Sequence, residues 1–137
     1  IPLIAIDTLS AMANSVAHNV EKNAVLIPMI DARRIEVFCS VHHQGKEIKA
    51  VHSRVLNEEP FDELDSENVY YFGDGAKKGQ EHLNSSWTYL PEQKTSAKNL
   101  IPIAWKKFTK KDFENVAYFE PSYHKDFQAG KPKKVLK

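Results

Sequence analysis

Apolar and polar positions change rhythm several times along this chain, and each rhythm predicts an element. Leu3-Ile4-Ala5-Ile6 is a short apolar run that reads as a strand. After it, Leu9, Met12, Ala13, Val16, Ala17 and Val20 recur at helical spacing, with Asp7 or Thr8 placed to cap the first turn. The stripe reads as core packing. Three strands follow, near Ala24–Asp31, Arg34–His43 and Glu47–Val55. In the second, Ile35, Val37, Cys39 and Val41 alternate with Glu36, Phe38, Ser40 and His42, the period-2 signature of a strand. Short turns join the three, one with a charged tip at Asp31–Arg34 and one at His43-Gln44-Gly45-Lys46, where Gly45 can supply a positive φ. Strands joined this tightly pair antiparallel.

The second half alternates instead. Glu59-Pro60-Phe61-Asp62-Glu63-Leu64 reads as a helix start, with Pro60 in the first turn. Val69-Tyr70-Tyr71-Phe72 reads as a buried strand, which Gly73-Asp74-Gly75 turns into a short helix from Ala76 to His82. Trp87-Thr88-Tyr89-Leu90 is a further strand. Thr95 or Ser96 then caps a longer helix whose apolar stripe is Leu100, Ile103, Ala104 and Phe108. A three-strand meander followed by alternating units predicts an α/β fold, a mixed sheet of about five strands with helices packed on it. That order is the order of the ribonuclease H-like fold, the repeated half of the actin-like ATPases.

Composition narrows the class without choosing a function. The 137 residues are enough for one domain with a core, and 42% hydrophobic with 27% charged residues is ordinary for a globular protein. A net charge of +1 supplies no strong field for nucleic acid or membrane. The basic stretch Lys131–Lys137 is the local exception and reads as part of a solvated tail. No apolar run approaches the ~20 residues of a spanning helix. The lone Cys39 excludes an internal disulfide and suits a reducing cytosol. With no partner base evident, it reads as a buried structural thiol. The chain begins Ile1-Pro2, as a fragment or processed product would.

Candidate chemistry is sparse. Asp7 follows a strand-like run, as the metal- and phosphate-binding Asp of actin-like ATPases does. A helical stripe follows it, however, and no glycine occurs before Gly45, so no backbone nest can cradle phosphate. Asp7 is read as a cap or surface acid. The turn Gly73, Asp74, Gly75 is a weak candidate for contact with a nucleotide, and a tight turn permitting close packing is the favoured reading. Asp31, Glu36 and Asp74 could serve a two-metal nuclease only if their carboxylates converged. Asp31 sits at a hairpin tip and Glu36 on the opposite face from its apolar neighbours, so nuclease chemistry is not expected. None of the six histidines forms a His-x-x-x-His pair, and no metal is expected. No Gly-x-Ser-x-Gly elbow or Ser/His/Asp arrangement is evident. Lys106, Lys107, Lys110 and Lys111 beside Trp105 and Phe108 read as a solvated helix face rather than an RNA contact. Tyr118–Tyr123 reads as a strand or an arm docking on another surface.

Five segments, in order, resemble the second half of the TsaB (YeaZ) family, glycoprotease-like members of the actin-like superfamily. They are Pro2–Ala13, Ile30-Asp31-Ala32-Arg33-Arg34-Ile35-Glu36-Val37-Phe38, Tyr71-Phe72-Gly73-Asp74-Gly75-Ala76, Leu100–Ala104, and Ala117-Tyr118-Phe119-Glu120-Pro121-Ser122-Tyr123. Asp31, Ala32, Arg33, Glu36, Gly73, Gly75, Glu120, Pro121 and Tyr123 match the family pattern as structural markers; Ile35 stands at a position that varies. The resemblance implies a ribonuclease H-like domain over 21–127. It makes 1–20 the closing strand and helix of a preceding half, and 128–137 a flexible basic tail. It also implies a non-catalytic subunit, without cofactor, in the cytoplasmic assembly that makes threonylcarbamoyladenosine in tRNA. There the partners would be a TsaD-like transferase and a TsaE-like ATPase, with a homodimer formed through the first half, tRNA met only indirectly and no membrane contact. The competing expectations are an ATP-binding actin-like enzyme domain and the peptidase for which the family was once named.

Overall fold

A computed structural model describes residues 1–124. The basic stretch Lys131–Lys137 and the boundary expected at 127 lie outside the described residues. The helix α1 spans Thr8–Ala17. The strands are β1 (Val25–Asp31), β2 (Glu36–His43), β3 (Lys46–Val55), β4 (Val69–Phe72) and β5 (Thr88–Leu90), and a helix α2 covers Ile101–Thr109. Short 3-10 segments run over Ala76–Glu81 and Ala97–Leu100. The sheet order is β3-β2-β1-β4-β5. β2 is antiparallel to β1 and β3, whereas β4 runs parallel to β1 and β5 parallel to β4. The expected five-strand mixed sheet is therefore present.

Both sheet faces are covered, which period-2 alternation in β2 did not reveal. One face buries Ile27, Met29, Val37, Cys39 and Val41 against Leu56, Phe61, Leu83 and Trp87. On the other, Leu9, Met12 and Val16 of α1 pack on Leu26 and Phe72. Ser40 and His42 are buried with them. Of the two candidate caps of α1, Asp7 acts: its carboxylate accepts the Ser10 N–H at 2.7 Å. The β2–β3 turn places both Gln44 (φ 51°) and Gly45 (φ 72°) in the left-handed region, as a two-residue hairpin turn with right-twisted strands requires. Pro28 stands in the centre of the sheet without an N–H to donate. Pairing with β2 lapses around it, between Leu26↔His42 and Met29↔Cys39.

Four local expectations are corrected. Leu3–Ile6 is not a strand; Leu3 makes a single antiparallel bridge, its carbonyl accepting the Glu114 N–H at 2.9 Å. Glu59–Leu64 does not start a helix. Phe61 has φ 68°, outside the helical region, because its ring is drawn into the core beneath Arg54 and edge-on to Trp87. In α2 no residue is buried, and the expected stripe member Phe108 is 53% exposed beside Ile101 and Trp105. Ala117–Tyr123 forms no strand; of the two expectations for this segment the strand is corrected, and Phe119 and Pro121–Tyr123 instead line a groove with Ile30, Phe38 and Val51 as an arm. Tyr118 and Tyr123 stand in solvent.

Candidate functional site

The residues Asp31–Glu36 and Gly73–Gly75, singled out in the sequence, meet at one end of the sheet. β1 and β4 run parallel with Pro28 beside Phe72, so the tip after Asp31 and the turn after Phe72 emerge together. The turn is pressed onto β1. A Cβ added at Gly73 would lie 2.1 Å from the Met29 carbonyl oxygen, and one at Gly75 would lie 2.8 Å from the Ile30 carbonyl carbon. The Gly75 N–H donates to the Met29 carbonyl at 3.3 Å, and the Ala76 N–H to Gly73 at 3.2 Å. These two donors point into the protein. The glycines thus serve close packing of turn on strand, the favoured sequence reading.

A residue that sequence reasoning missed ties the assembly together. Lys78, in the 3-10 segment after Gly75, donates to the Asp31 carboxylate at 2.8 Å, the Arg34 carbonyl at 2.7 Å and the Glu36 carbonyl at 2.9 Å. An ammonium has three protons, and all three are used. Asp31 also accepts the Arg33 N–H at 2.6 Å, and its own N–H donates to the Asp74 carboxylate at 3.3 Å. The Lys78 hydrogen bond, and after it the Arg33 N–H, holds the Asp31 carboxyl below its ordinary range. Asp31, Glu36 and Asp74 do share one end of the sheet, but Asp31 and the Glu36 carbonyl are gathered around a lysine. Among the described residues no group of three or more His, Cys, Asp or Glu is placed to hold a metal ion. Nothing in Ala76-Lys77-Lys78 marks the second lysine over the first; only the fold aims it. Replacing Lys78 with methionine is expected to cost about 1–2 kcal/mol. The urea midpoint should fall at unchanged slope, and the Asp31 carboxyl should titrate higher by NMR.

Two further clusters bear on the nucleophiles, and one point of the sequence reading is corrected. Cys39 does have a base beside it: its sulfur lies 3.6 Å from His52 Nε2 across the β2–β3 ladder. His52 Nδ1 is 2.7 Å from the Ala50 carbonyl, which places the ring proton there and leaves Nε2 to accept from the thiol and from Arg54 Nε at 3.4 Å. Burial nonetheless pushes the thiol up to about 12, so it stays protonated and, fully enclosed, meets no substrate. Ser40 and His42 form a second pair, Oγ to Nε2 at 2.8 Å. Both are buried under α1, and burial pushes the His42 ring down from its ordinary value. In both pairs the sulfur or hydroxyl that would attack is fully buried.

The remaining candidates lie apart from the tip. Pro121 and Tyr123 belong to an arm that walls a groove of about 600 Å³ with Asp7, Ile30 and Phe38; Glu120 is exposed on the same arm. On α2, Trp105 and Phe108 stack on each other with centroids 6.0 Å apart, while Lys107 pairs with Asp112 and Glu114 at 3.5 Å.

Sheet order, meander and parallel pair define an α/β domain of the ribonuclease H-like class. No family model matches this chain, and no curated protein matches it in sequence. Solved structures do. YeaZ from Pseudomonas aeruginosa superposes with a TM-score of 0.60 at 20% identity, over 89% of this chain and 59% of its own. An uncharacterized protein with similarity to peptidase YeaZ from Pseudomonas aeruginosa gives 0.65 at 19% identity, over 90% and 59%. The chain therefore has the actin-like, ribonuclease H-like fold of YeaZ and spans 59% of the length of these structures.

Proposed function

We propose that this chain is the second half of a TsaB-family protein and acts as a non-catalytic partner subunit in making threonylcarbamoyladenosine in tRNA. The TsaD-like transferase would carry the chemistry, with a TsaE-like ATPase in the assembly. One observation carries the reading beyond the fold. The segments that resemble the family, Asp31–Glu36 and Gly73–Gly75, lie side by side, and Lys78 spends its polar capacity joining them. They build a rigid end of the sheet, as a scaffold needs. The peptidase reading lacks a reachable nucleophile at Cys39 or Ser40. Among the described residues no helix is long and apolar enough to cross a membrane, and a cytoplasmic site of action is part of the proposal.

The test is threonylcarbamoyladenosine in bulk tRNA, measured by mass spectrometry after depletion of the full-length protein that carries this chain. The expected result is collapse of the modification and recovery on re-expression. Unchanged levels would overturn the proposal and leave the fold standing.

A further inference from the structure

The Lys78 knot fixes a tip whose own side chains it leaves unused. Arg33 and Arg34 are consecutive residues with φ 71° and 48°. Left-handed backbone is disfavoured for L-residues, and glycine or asparagine is its usual occupant. Here two arginines are held in it: Asp31 accepts the Arg33 N–H, and Lys78 holds the Arg34 carbonyl. Both residues are exposed, and among the described residues neither guanidinium has an ion-pair partner. Ile35, next in the chain, is an exposed aliphatic side chain at 38%. Asp74, also exposed, stands at the base of the tip.

We propose that Arg33-Arg34-Ile35 is a docking point for a partner protein, one that presents carboxylates to the two guanidinium groups beside a small apolar depression for Ile35. Three observations choose protein over nucleic acid. A phosphodiester strand is tracked by a continuous line of cations, and here Asp31 is spent on Lys78 while the exposed Asp74 carboxylate at the base of the tip interrupts the line. Mixed charge of this kind selects a partner with the complementary mixture. Arginine is enriched at interface hot spots over the general surface, and Ile35 gives this pair an exposed apolar neighbour. A tip already locked before binding loses little conformational freedom on docking, which favours affinity. This inference rests on the subunit role proposed above and names the surface that role would use.

The test uses the full-length protein with two double variants. Arg33→Gly with Arg34→Gly removes both charges and suits the positive φ; Arg33→Glu with Arg34→Glu reverses them. Assembly with purified TsaD-like and TsaE-like proteins is measured by sedimentation, binding to tRNA alone is measured separately, and the modification is measured in depleted cells. The glycine pair should keep its Tm within about 3 °C of wild type and weaken assembly at least about tenfold, a loss typical of truncated hot-spot side chains. The glutamate pair should weaken it further, with a gap that narrows as salt rises. Unchanged assembly by both variants, while wild type assembles and restores the modification, overturns the docking point and spares the subunit role. Failure of wild type in both assays overturns the two together. Weakened tRNA binding with assembly intact makes the tip a nucleic-acid contact and overturns the proposal.

Discussion

Gly73→Ala is expected to cost at least about 3 kcal/mol and to lower Tm by about 10 °C or more. Two causes act together. The backbone at Gly73 has φ 108°, where an L-residue is strained. The new methyl would also sit 2.1 Å from the Met29 carbonyl oxygen and 2.8 Å from Met12 Cε. Met12 can swing aside. The carbonyl cannot, because it belongs to the central strand and accepts the Gly75 N–H. The strand and turn would have to separate, opening the seam where α1, β1 and β4 meet. Gly45→Ala is the control. It has φ 72° and nothing within 4 Å of the added methyl, so only the backbone cost of about 1 kcal/mol remains. Thermal melts of the two variants measure the difference, and equal losses would show that the seam relaxes freely.

The second large effect concerns Arg54, a guanidinium only 5% exposed. It bonds both carboxylate oxygens of Glu63, donates to the Glu59 carbonyl at 3.2 Å, and lies 3.9 Å above the Phe61 ring. The Arg54 hydrogen bonds, joined by Lys49 at 2.7 Å, hold the Glu63 carboxyl at about 2 against an ordinary 4.5. A carboxyl depressed on folding stabilises fully above its unfolded value and loses that contribution as pH falls through its folded value. Stability is therefore expected to decline between pH 4.5 and about 2. For a buried group the decline would be about 3 kcal/mol. With the Glu63 side chain 45% exposed, solvent screening reduces it to about 1–2 kcal/mol. Glu63→Gln should flatten that part of the pH profile while costing about 1–2 kcal/mol at neutral pH. Arg54→Ala should cost more, about 3 kcal/mol, because it also removes the cover of Phe61 and the donor to Glu59. The order follows from what each change leaves behind: Glu63→Gln keeps an amide oxygen to accept from the Arg54 guanidinium, whereas loss of Arg54 leaves a hole over Phe61 and removes the donor to the Glu59 carbonyl. Chemical denaturation from pH 2 to 7 for the three proteins checks it, and an unaltered acid limb in Glu63→Gln would refute the assignment.

Arg54 also shows where sequence reading stopped. In Val51-His52-Ser53-Arg54-Val55 the pattern gives the end of a strand, and nothing in it marks the arginine as buried. Its arginine is buried because Phe61, seven residues on, folds back under it through a left-handed turn. The same event defeated the helix expected at Glu59–Leu64. Local propensity sees Pro60 followed by Glu and Leu; it does not see that burying an aromatic ring outweighs one turn of helix. The strand expected at Tyr118–Tyr123 and the end of the α2 stripe failed for a related reason. Their apolar residues match the spacing of packed elements, yet spacing does not supply a surface to pack on: Leu100, Ile103 and Ala104 are half-buried, whereas Phe108, Tyr118 and Tyr123 remain exposed.

What the sequence determined by itself is the order of the five sheet strands and the position of the tip. Period-2 runs separated by short turns leave an antiparallel meander as the economical pairing, and Gly45 marks its second turn. The alternation after Val69 calls for parallel strands, and Gly73 and Gly75 are legible as a turn needing close approach. The tertiary structure alone decided what those residues touch. Lys78 reaches Asp31 and the Arg34 and Glu36 carbonyls across more than 40 positions of sequence. His52 meets Cys39 only because β2 and β3 pair in that register. Hydrophobic period is a property of neighbours along the chain. A lysine's three acceptors, a thiol's burial and an arginine's cover are set by distances between segments, and those exist only once the sheet has closed.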